Sequence, residues 1–139
     1  MAQLGTRKLK IEVDGIEYTA EVSKAVVTSA ESDSDFLTFA GAAAGGARDY
    51  KLEFTAAQDA AAGTLWSEVF DNAGDTVPVT LMPYGNAAPS VGEPHFTMNA
   101  VISEPDGDFI GGEADKSTSA RFTFECAWQL EGKPTKVTA

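Results

Sequence analysis

Residues 8–23 carry the pattern that most limits what this chain can fold into. Apolar and polar residues alternate on both sides of Asp14-Gly15, and Asp-Gly is a favoured two-residue hairpin turn because both central positions need positive φ. The turn would place three pairs on one face, namely Val13 opposite Ile16, Ile11 opposite Tyr18 and Leu9 opposite Ala20. Turn chemistry and hydrophobic pattern therefore predict the same β-hairpin register.

The same two-residue period returns in residues 50–55, 77–81, 96–102 and 122–130. Each of these segments favours a strand with one buried face. Pro78 predicts that the second of them is an edge strand or contains a bulge. Residues 29–49 instead include a run of Ala and Gly that can bury little area, which predicts a long loop.

Residues 59–73 have the periodicity of a helix. Leu65, Trp66, Val69 and Phe70 fall on one apolar stripe, as in an amphipathic helix. Gly63 weakens the first half, which leaves open a start at Thr64. With this helix, the strands predict a single domain over residues 1–139 of the α+β class, mostly β, with a β-sandwich or barrel, one flanking helix and one long inter-strand loop.

Charge excludes one broad class of function. The formal net charge is −11, and between Glu31 and Asp115 only Arg48 and Lys51 are basic. Tight nucleic-acid binding needs Lys and Arg to neutralise phosphates, so this acidic chain is not expected to bind DNA or RNA. No apolar run approaches the roughly 20 residues of a membrane span, which predicts no membrane association.

The residue types that usually carry catalysis are scarce. His95 is the only histidine and is expected to be a surface or strand-end residue, whereas Cys126, the only cysteine, is expected to be an inert core thiol. Two acidic segments, residues 31–35 and 106–113, only loosely resemble a calcium loop. We therefore predict a protein that is not an enzyme and has no catalytic residues, cofactor or metal site.

Four segments resemble the major tail proteins, or tail tube proteins, of long-tailed, non-contractile bacteriophages, in particular those that infect actinobacteria. They are residues 62–70, 77–84, 94–96 and 122–135, and the likeness extends over most of the chain from about Phe36 onward. The resemblance implies a β-sandwich with one flanking helix. It also implies a virion protein that self-assembles in the host bacterial cytoplasm into stacked, hexameric rings, which form the tail tube.

The resemblance also implies partners and roles for particular residues. The expected partners are further copies of the chain, the tape measure protein and the tail terminators, while DNA passes through the tube without specific binding. Leu65, Trp66, Val69 and Phe70 would fasten the helix to the sheet. Residues 29–49 correspond to the loop that contacts the next ring, with Glu31, Asp33, Asp35, Phe36 and Phe39 as candidate contacts. Candidate lumen residues are Glu104, Asp106, Asp108, Glu113 and Asp115, with Glu31, Asp33 and Asp35 as a second choice.

Two alternative functions remain open from the sequence. A capsid decoration or head–tail connector protein would also be small and rich in strands. A carbohydrate- or calcium-binding β-sandwich module is a further alternative from a different class.

Overall fold

The computed structural model describes residues 4–5, 7–31, 38–43 and 48–139. The strands within these ranges are β1 (Lys10–Val13), β2 (Ile16–Glu17), β3 (Val22–Glu31), β4 (Arg48–Ala57), β5 (Thr76–Met82), β6 (His95–Val101), β7 (Thr123–Leu130) and β8 (Thr135–Val137). The helices are α1 (Phe39–Ala43) and α2 (Leu65–Asn72). The chain is mostly β, as predicted.

The strands form one antiparallel sheet in the order β2-β1-β5-β6-β7-β4-β3, with β8 also paired to β6. A flat sheet of this order would hold β2 and β3 about 29 Å apart, at roughly 4.8 Å per strand. Only residues 18–21 join these two strands, and the five steps from Glu17 to Val22 span at most about 18 Å. The sheet must therefore curl until its two edges approach one another.

A groove between β1 and the start of β3 marks this approach. Leu9 and Ile11 line it on one side, and Val22 and Ala25 line it on the other. The curled sheet encloses a single hydrophobic core that draws on strands from both halves of the sheet. At its centre Phe54 makes edge-on contacts with Phe124 and Trp128, at ring-centroid distances of 5.9 and 4.8 Å.

Strand β7 connects the two halves of the sheet. It pairs with β4 from Ala57↔Thr123 to Lys51↔Gln129, but with β6 only at Ala100↔Leu130 and Val101↔Gln129. Its buried and exposed residues alternate along its whole length, as the sequence pattern predicts for residues 123–130. Phe122, the first residue of the predicted strand, lies outside β7 and is exposed, so its predicted place on the buried face is wrong. After Gly132 and Pro134 the chain resumes pairing with β6 as β8, a strand that the sequence analysis did not predict.

The first hairpin is formed, but it is shorter than predicted. Asp14 and Gly15 have φ of 52° and 80°, and Val13 pairs with Ile16. Strand β2 then ends at Glu17, so the predicted pairing of Leu9 with Ala20 is wrong. The physical reason is that the chain leaves β1 at residues 18–21 to start β3, which pairs with β4 instead.

Helix α2 begins later than residue 59. Thr64 caps it by accepting a hydrogen bond from the Ser67 N–H at 3.2 Å, and the Leu65 N–H donates to Glu21 Oε1 at 3.0 Å. Gly63 has φ of 83°, a left-handed conformation that excludes it from the helix. The later start that the sequence left open at Thr64 is therefore the observed one.

Strand β5 lies inside the sheet, between β1 and β6, and its register with both neighbours is continuous. The prediction of an edge strand or a bulge is therefore wrong. Pro78 is tolerated because its carbonyl oxygen accepts from the Asp14 N–H at 2.8 Å, just beyond the last β1–β5 pair, Val13↔Val79. In an antiparallel strand the nitrogen of a residue points to the same side as its oxygen. The missing N–H of Pro78 therefore faces the β1–β2 turn, where the ladder with β1 has ended.

Candidate functional site

Three of the predicted lumen acids lie together in a groove of about 550 Å³. Glu104, Asp106 and Asp108 line it from the segment that follows β6. Residues of β4 and β7 line it as well, and among them Glu53 and Glu125 contribute two further carboxylates. Lys24 is the basic residue among the groove residues, so this surface is strongly negative.

Two tryptophan N–H groups hold the segment that carries these acids. Trp128 Nε1 donates to the Ser103 carbonyl at 3.1 Å, and Trp66 Nε1 donates to the Phe109 carbonyl at 2.8 Å. Ser103 Oγ also donates to the Ala127 carbonyl at 3.1 Å. The backbone is therefore fixed on both sides of the acidic residues, which are presented at a defined place.

Gln58 fastens the same segment further along. Its Nε2 donates to the carbonyls of Gly111 and Thr123, at 3.0 and 2.8 Å, and its Oε1 accepts from the Gly111 N–H at 2.7 Å. One side chain thus satisfies backbone groups on two separate segments. Sequence reasoning missed Gln58, because nothing in its neighbourhood indicates partners 53 and 65 residues away.

Glu113 and Asp115 do not lie in this groove. They line a second groove beside Ala120, Arg121 and Phe122. The five predicted lumen acids are therefore divided between two surfaces, and only the first three share one with Glu53 and Glu125.

The predicted loop at residues 29–49 is shorter in the structure. Strands β3 and β4 continue pairing to Glu31↔Arg48, so Glu31 is a strand residue and not a loop residue. Asp33, Asp35 and Phe36 lie outside the described residues. Phe39 begins the short helix α1 and is 97% exposed.

The four residues of the helix stripe have different environments. Leu65 and Val69 are fully buried in the core cluster, whereas Trp66 is half-buried and Phe70 is 52% exposed. Placing Phe70 in the helix–sheet contact was therefore wrong. Its ring stacks on Trp66 at 5.0 Å and meets Phe109 at 5.7 Å, because Phe109 covers the part of α2 that turns away from the sheet.

Large apolar side chains are exposed at several places in the described part of the chain. Near α2 and the start of β7 they are Phe70, Ile110 and Phe122, which are 52%, 74% and 46% exposed. In the sequence, the consecutive residues Phe109 and Ile110 stand out in an otherwise acidic and Gly-rich stretch, and this contrast indicates an apolar contact or an apolar surface there.

His95 and Cys126 occupy structural positions. His95 is the first residue of β6, so the expected strand-end location is the observed one, but it is buried and not on the surface. Its Nε2 lies 3.0 Å from the Asn86 carbonyl oxygen and 3.2 Å from Asn86 Oδ1. Because both neighbours are acceptors, Nε2 carries a proton. Burial raises the pKa of the buried Cys126 thiol to about 12, and nearby Asp106 adds to the effect.

Among residues 4–5, 7–31, 38–43 and 48–139, no group of three or more His, Cys, Asp or Glu side chains is arranged to hold a metal ion. Within the same ranges, none of the helices combines the length and the apolar character needed to cross a membrane. In comparisons with known proteins, no protein-family model and no curated protein matches the chain.

Proposed function

We propose that this protein is a structural virion protein that assembles into stacked rings, which form the tail tube of a long-tailed bacteriophage. The observation that carries the proposal is the β3–β4 hairpin. Its two strands stay paired for three positions past the last β4–β7 pair, and the connection between them bears an almost completely exposed phenylalanine, Phe39. A two-stranded ribbon is marginally stable alone, and an exposed aromatic residue in the connection between its strands favours contact with another protein.

The exposed apolar surface supports assembly more generally. A domain with a net charge of −11 repels its own copies at long range. It nevertheless exposes several large apolar side chains at separate places, which are Leu4, Ile16, Val26, Phe39, Phe70, Val91, Ile110 and Phe122. Contiguous apolar patches mark protein–protein contacts, whereas single exposed apolar residues are common on any surface. These separate positions are therefore compatible with a subunit that has more than one neighbour, and they do not carry the proposal by themselves.

The acidic groove supports a channel that conducts DNA without retaining it. Glu104, Asp106 and Asp108 are held by backbone anchors against a face that already carries Glu53 and Glu125. A surface with this charge repels phosphates. In the proposed tube this groove faces the DNA path, and the chain meets the tape measure and terminator proteins during assembly in the host cytoplasm.

Electron microscopy tests the proposal directly. Purified protein is concentrated stepwise and imaged by negative stain, with sedimentation velocity run on the same samples. We expect rings and stacked tubes that become more abundant with concentration. A discrete monomer at every concentration, both in solution and in isolated virus particles, would contradict the proposal, and trimers on capsids would indicate a decoration protein instead.

A further inference from the structure

Strand β3 is the long free edge of the sheet. It has ten residues and pairs only with β4, whereas β2, at the other end of the strand order, has two residues. Strand β8, which pairs only with β6, has three. Unpaired backbone groups along an edge strand form a template on which another strand pairs. Among the described strands, β3 therefore offers the longest site for strand addition.

The pairing with β4 decides which backbone groups of β3 face outward. The Ala57 N–H donates at 2.8 Å to the carbonyl of Glu21, which directly precedes β3. Every second residue of β4, counted back from Ala57, therefore also points toward β3. The hydrogen-bonded pairs are then Lys24↔Thr55, Val26↔Glu53, Thr28↔Lys51 and Ala30↔Asp49. The residues whose N–H and C=O groups point away from β4 are those between, namely Ala25, Val27, Ser29 and Glu31.

This outward edge has little of the protection that edge strands usually carry. Natural proteins commonly blunt an exposed edge with charged side chains or proline, and residues 25–30 contain neither. The register shift between Val22 and Lys24 lies before this segment. The outward backbone groups have no partner among the described residues. Six steps of about 3.3 Å make the edge from Ala25 to Glu31 roughly 20 Å long, which suits a short added strand.

The groove at the start of β3 has a charge opposite to that of the whole chain. Its volume is about 420 Å³, and Arg7 and Lys24 line it together with uncharged residues, with no Asp or Glu among the described residues that line it. Lys24 also lines the acidic groove, whereas Arg7 does not. The chain has 21 acidic residues against 10 basic ones, so an acidic partner is repelled by most of the surface and attracted to this groove.

We propose that β3 receives an extended, acidic segment of another protein as an added strand, and that the acidic end of this segment lies in the groove beside Arg7 and Lys24. In strand addition, main-chain hydrogen bonds supply affinity and side-chain contacts supply specificity. Ala25 and Val27 pack against the core, so apolar side chains at alternate positions of the added strand extend this face. The inference goes beyond the proposed function, since it requires neither rings nor a tube.

A labelled peptide tests the charge of the occupant. The probe is a peptide of alternating valine and threonine, as long as residues 25–31, with aspartate at both ends, and the comparison peptide has lysine at both ends. Binding is measured by fluorescence anisotropy on protein that is dilute enough to sediment as single copies. We expect the aspartate peptide to bind about tenfold more tightly, with a smaller difference at high salt, which screens exposed charges. Equal affinities would contradict an acidic occupant.

A variant of the groove tests where the acidic end lies. Arg7→Gln removes the base that lines this groove and not the acidic one, and we expect about fivefold weaker binding of the aspartate peptide. Lys136→Gln is the matched control, because Lys136 is an exposed base on β8, the short edge strand, and this variant should bind as wild type. Equal losses in both variants would show that net charge alone attracts the peptide, which would contradict the inference.

Removing one backbone N–H tests strand addition itself. Ser29→Pro removes an outward N–H, at the kind of position where an edge strand tolerates proline. Ser29 Oγ also accepts from Arg48 Nε at 3.2 Å and Nη2 at 3.0 Å, so Ser29→Ala is the matched control that loses this contact and keeps the N–H. We expect Ser29→Pro to bind the aspartate peptide about tenfold more weakly, and Ser29→Ala to bind as wild type. Equal affinities of the two variants would contradict strand addition.

Backbone methylation of the peptide provides a second readout, on wild-type protein, that does not depend on the folding of Ser29→Pro. Only alternate amides of an added strand face β3, so methylating that set should abolish binding, while methylating the other set should leave it unchanged. Equal effects of the two sets would overturn the inference. So would a dimer of the protein alone that Ser29→Pro abolishes, because the occupant would then be a second copy. Protein that binds the aspartate peptide as expected but never forms rings would contradict the proposed function and support this inference.

Discussion

Replacing Gln58 by alanine tests how the acidic segment is held in place. The change removes three hydrogen bonds, two donated by Nε2 to the Gly111 and Thr123 carbonyls and one accepted by Oε1 from the Gly111 N–H. Three bonds at about 0.5–1.5 kcal/mol each would amount to roughly 1.5–4.5 kcal/mol. The site is partly exposed, so water replaces some of these partners, and we expect a loss of about 2 kcal/mol in the free energy of unfolding.

Urea denaturation followed by tryptophan fluorescence measures this loss, and a thermal scan should show a melting temperature lower by roughly 6 °C. Gln129→Ala is the matched control, because Gln129 is an exposed glutamine on β7 whose replacement should cost under about 0.5 kcal/mol. If Gln58→Ala and Gln129→Ala lose the same free energy, Gln58 does not fasten the two segments and the reasoning is refuted.

Three further predictions concern α2 and the core. Leu65→Ala should lower the free energy of unfolding by about 3 kcal/mol because Leu65 is fully buried. Phe70→Ala should lower it by about 1 kcal/mol, through the loss of its aromatic contacts. Equal losses in urea denaturation would contradict the finding that Leu65 is in the core and Phe70 is exposed. Glu21→Gln should lower stability by about 0.5–1 kcal/mol, because a negative carboxylate at the helix N-terminus interacts with the Leu65 N–H, and an unchanged urea midpoint would refute this. Burial raises the pKa of Cys126 from 9.0 to about 12, and burial with nearby carboxylates raises the pKa of Tyr18 from 10.0. Both groups therefore stabilise the fold fully below pH 9 and lose this contribution as the pH rises toward 12. Cys126→Ala should make the free energy of unfolding fall less steeply between pH 9 and 12, and an equal slope in the variant and the wild type would contradict this prediction.

How much of the fold could be predicted depends on the range of the interactions. The alternation at Phe124, Cys126, Trp128 and Leu130 is local, and the structure confirms it residue by residue. Strand β3 was not predicted because its apolar residues are small or adjacent, as at Val26-Val27, and so do not alternate with polar residues. The strand forms because it pairs with β4. That pairing is a long-range property that no short window of sequence reveals.

The candidate site was predictable only in part, for a similar reason. The acidic residues were visible as a charge pattern, but their division between two grooves depends on anchors far apart in sequence. Trp66 and its acceptor on Phe109 are 43 residues apart. The same separation explains the error at Phe70, since the helix pattern could not reveal that Phe109 would cover part of the stripe.

The uneven pairing of β7 has a mechanical consequence. Seven residue pairs join β7 to β4, but only two join it to β6. Tension applied to the β3–β4 hairpin would pass along the seven pairs between β4 and β7 and then reach the two pairs between β7 and β6. At this short ladder the packing of side chains must resist separation. Under force, the molecule would part between β6 and β7, with one piece carrying β3 and β4 and the other carrying β1 and β5.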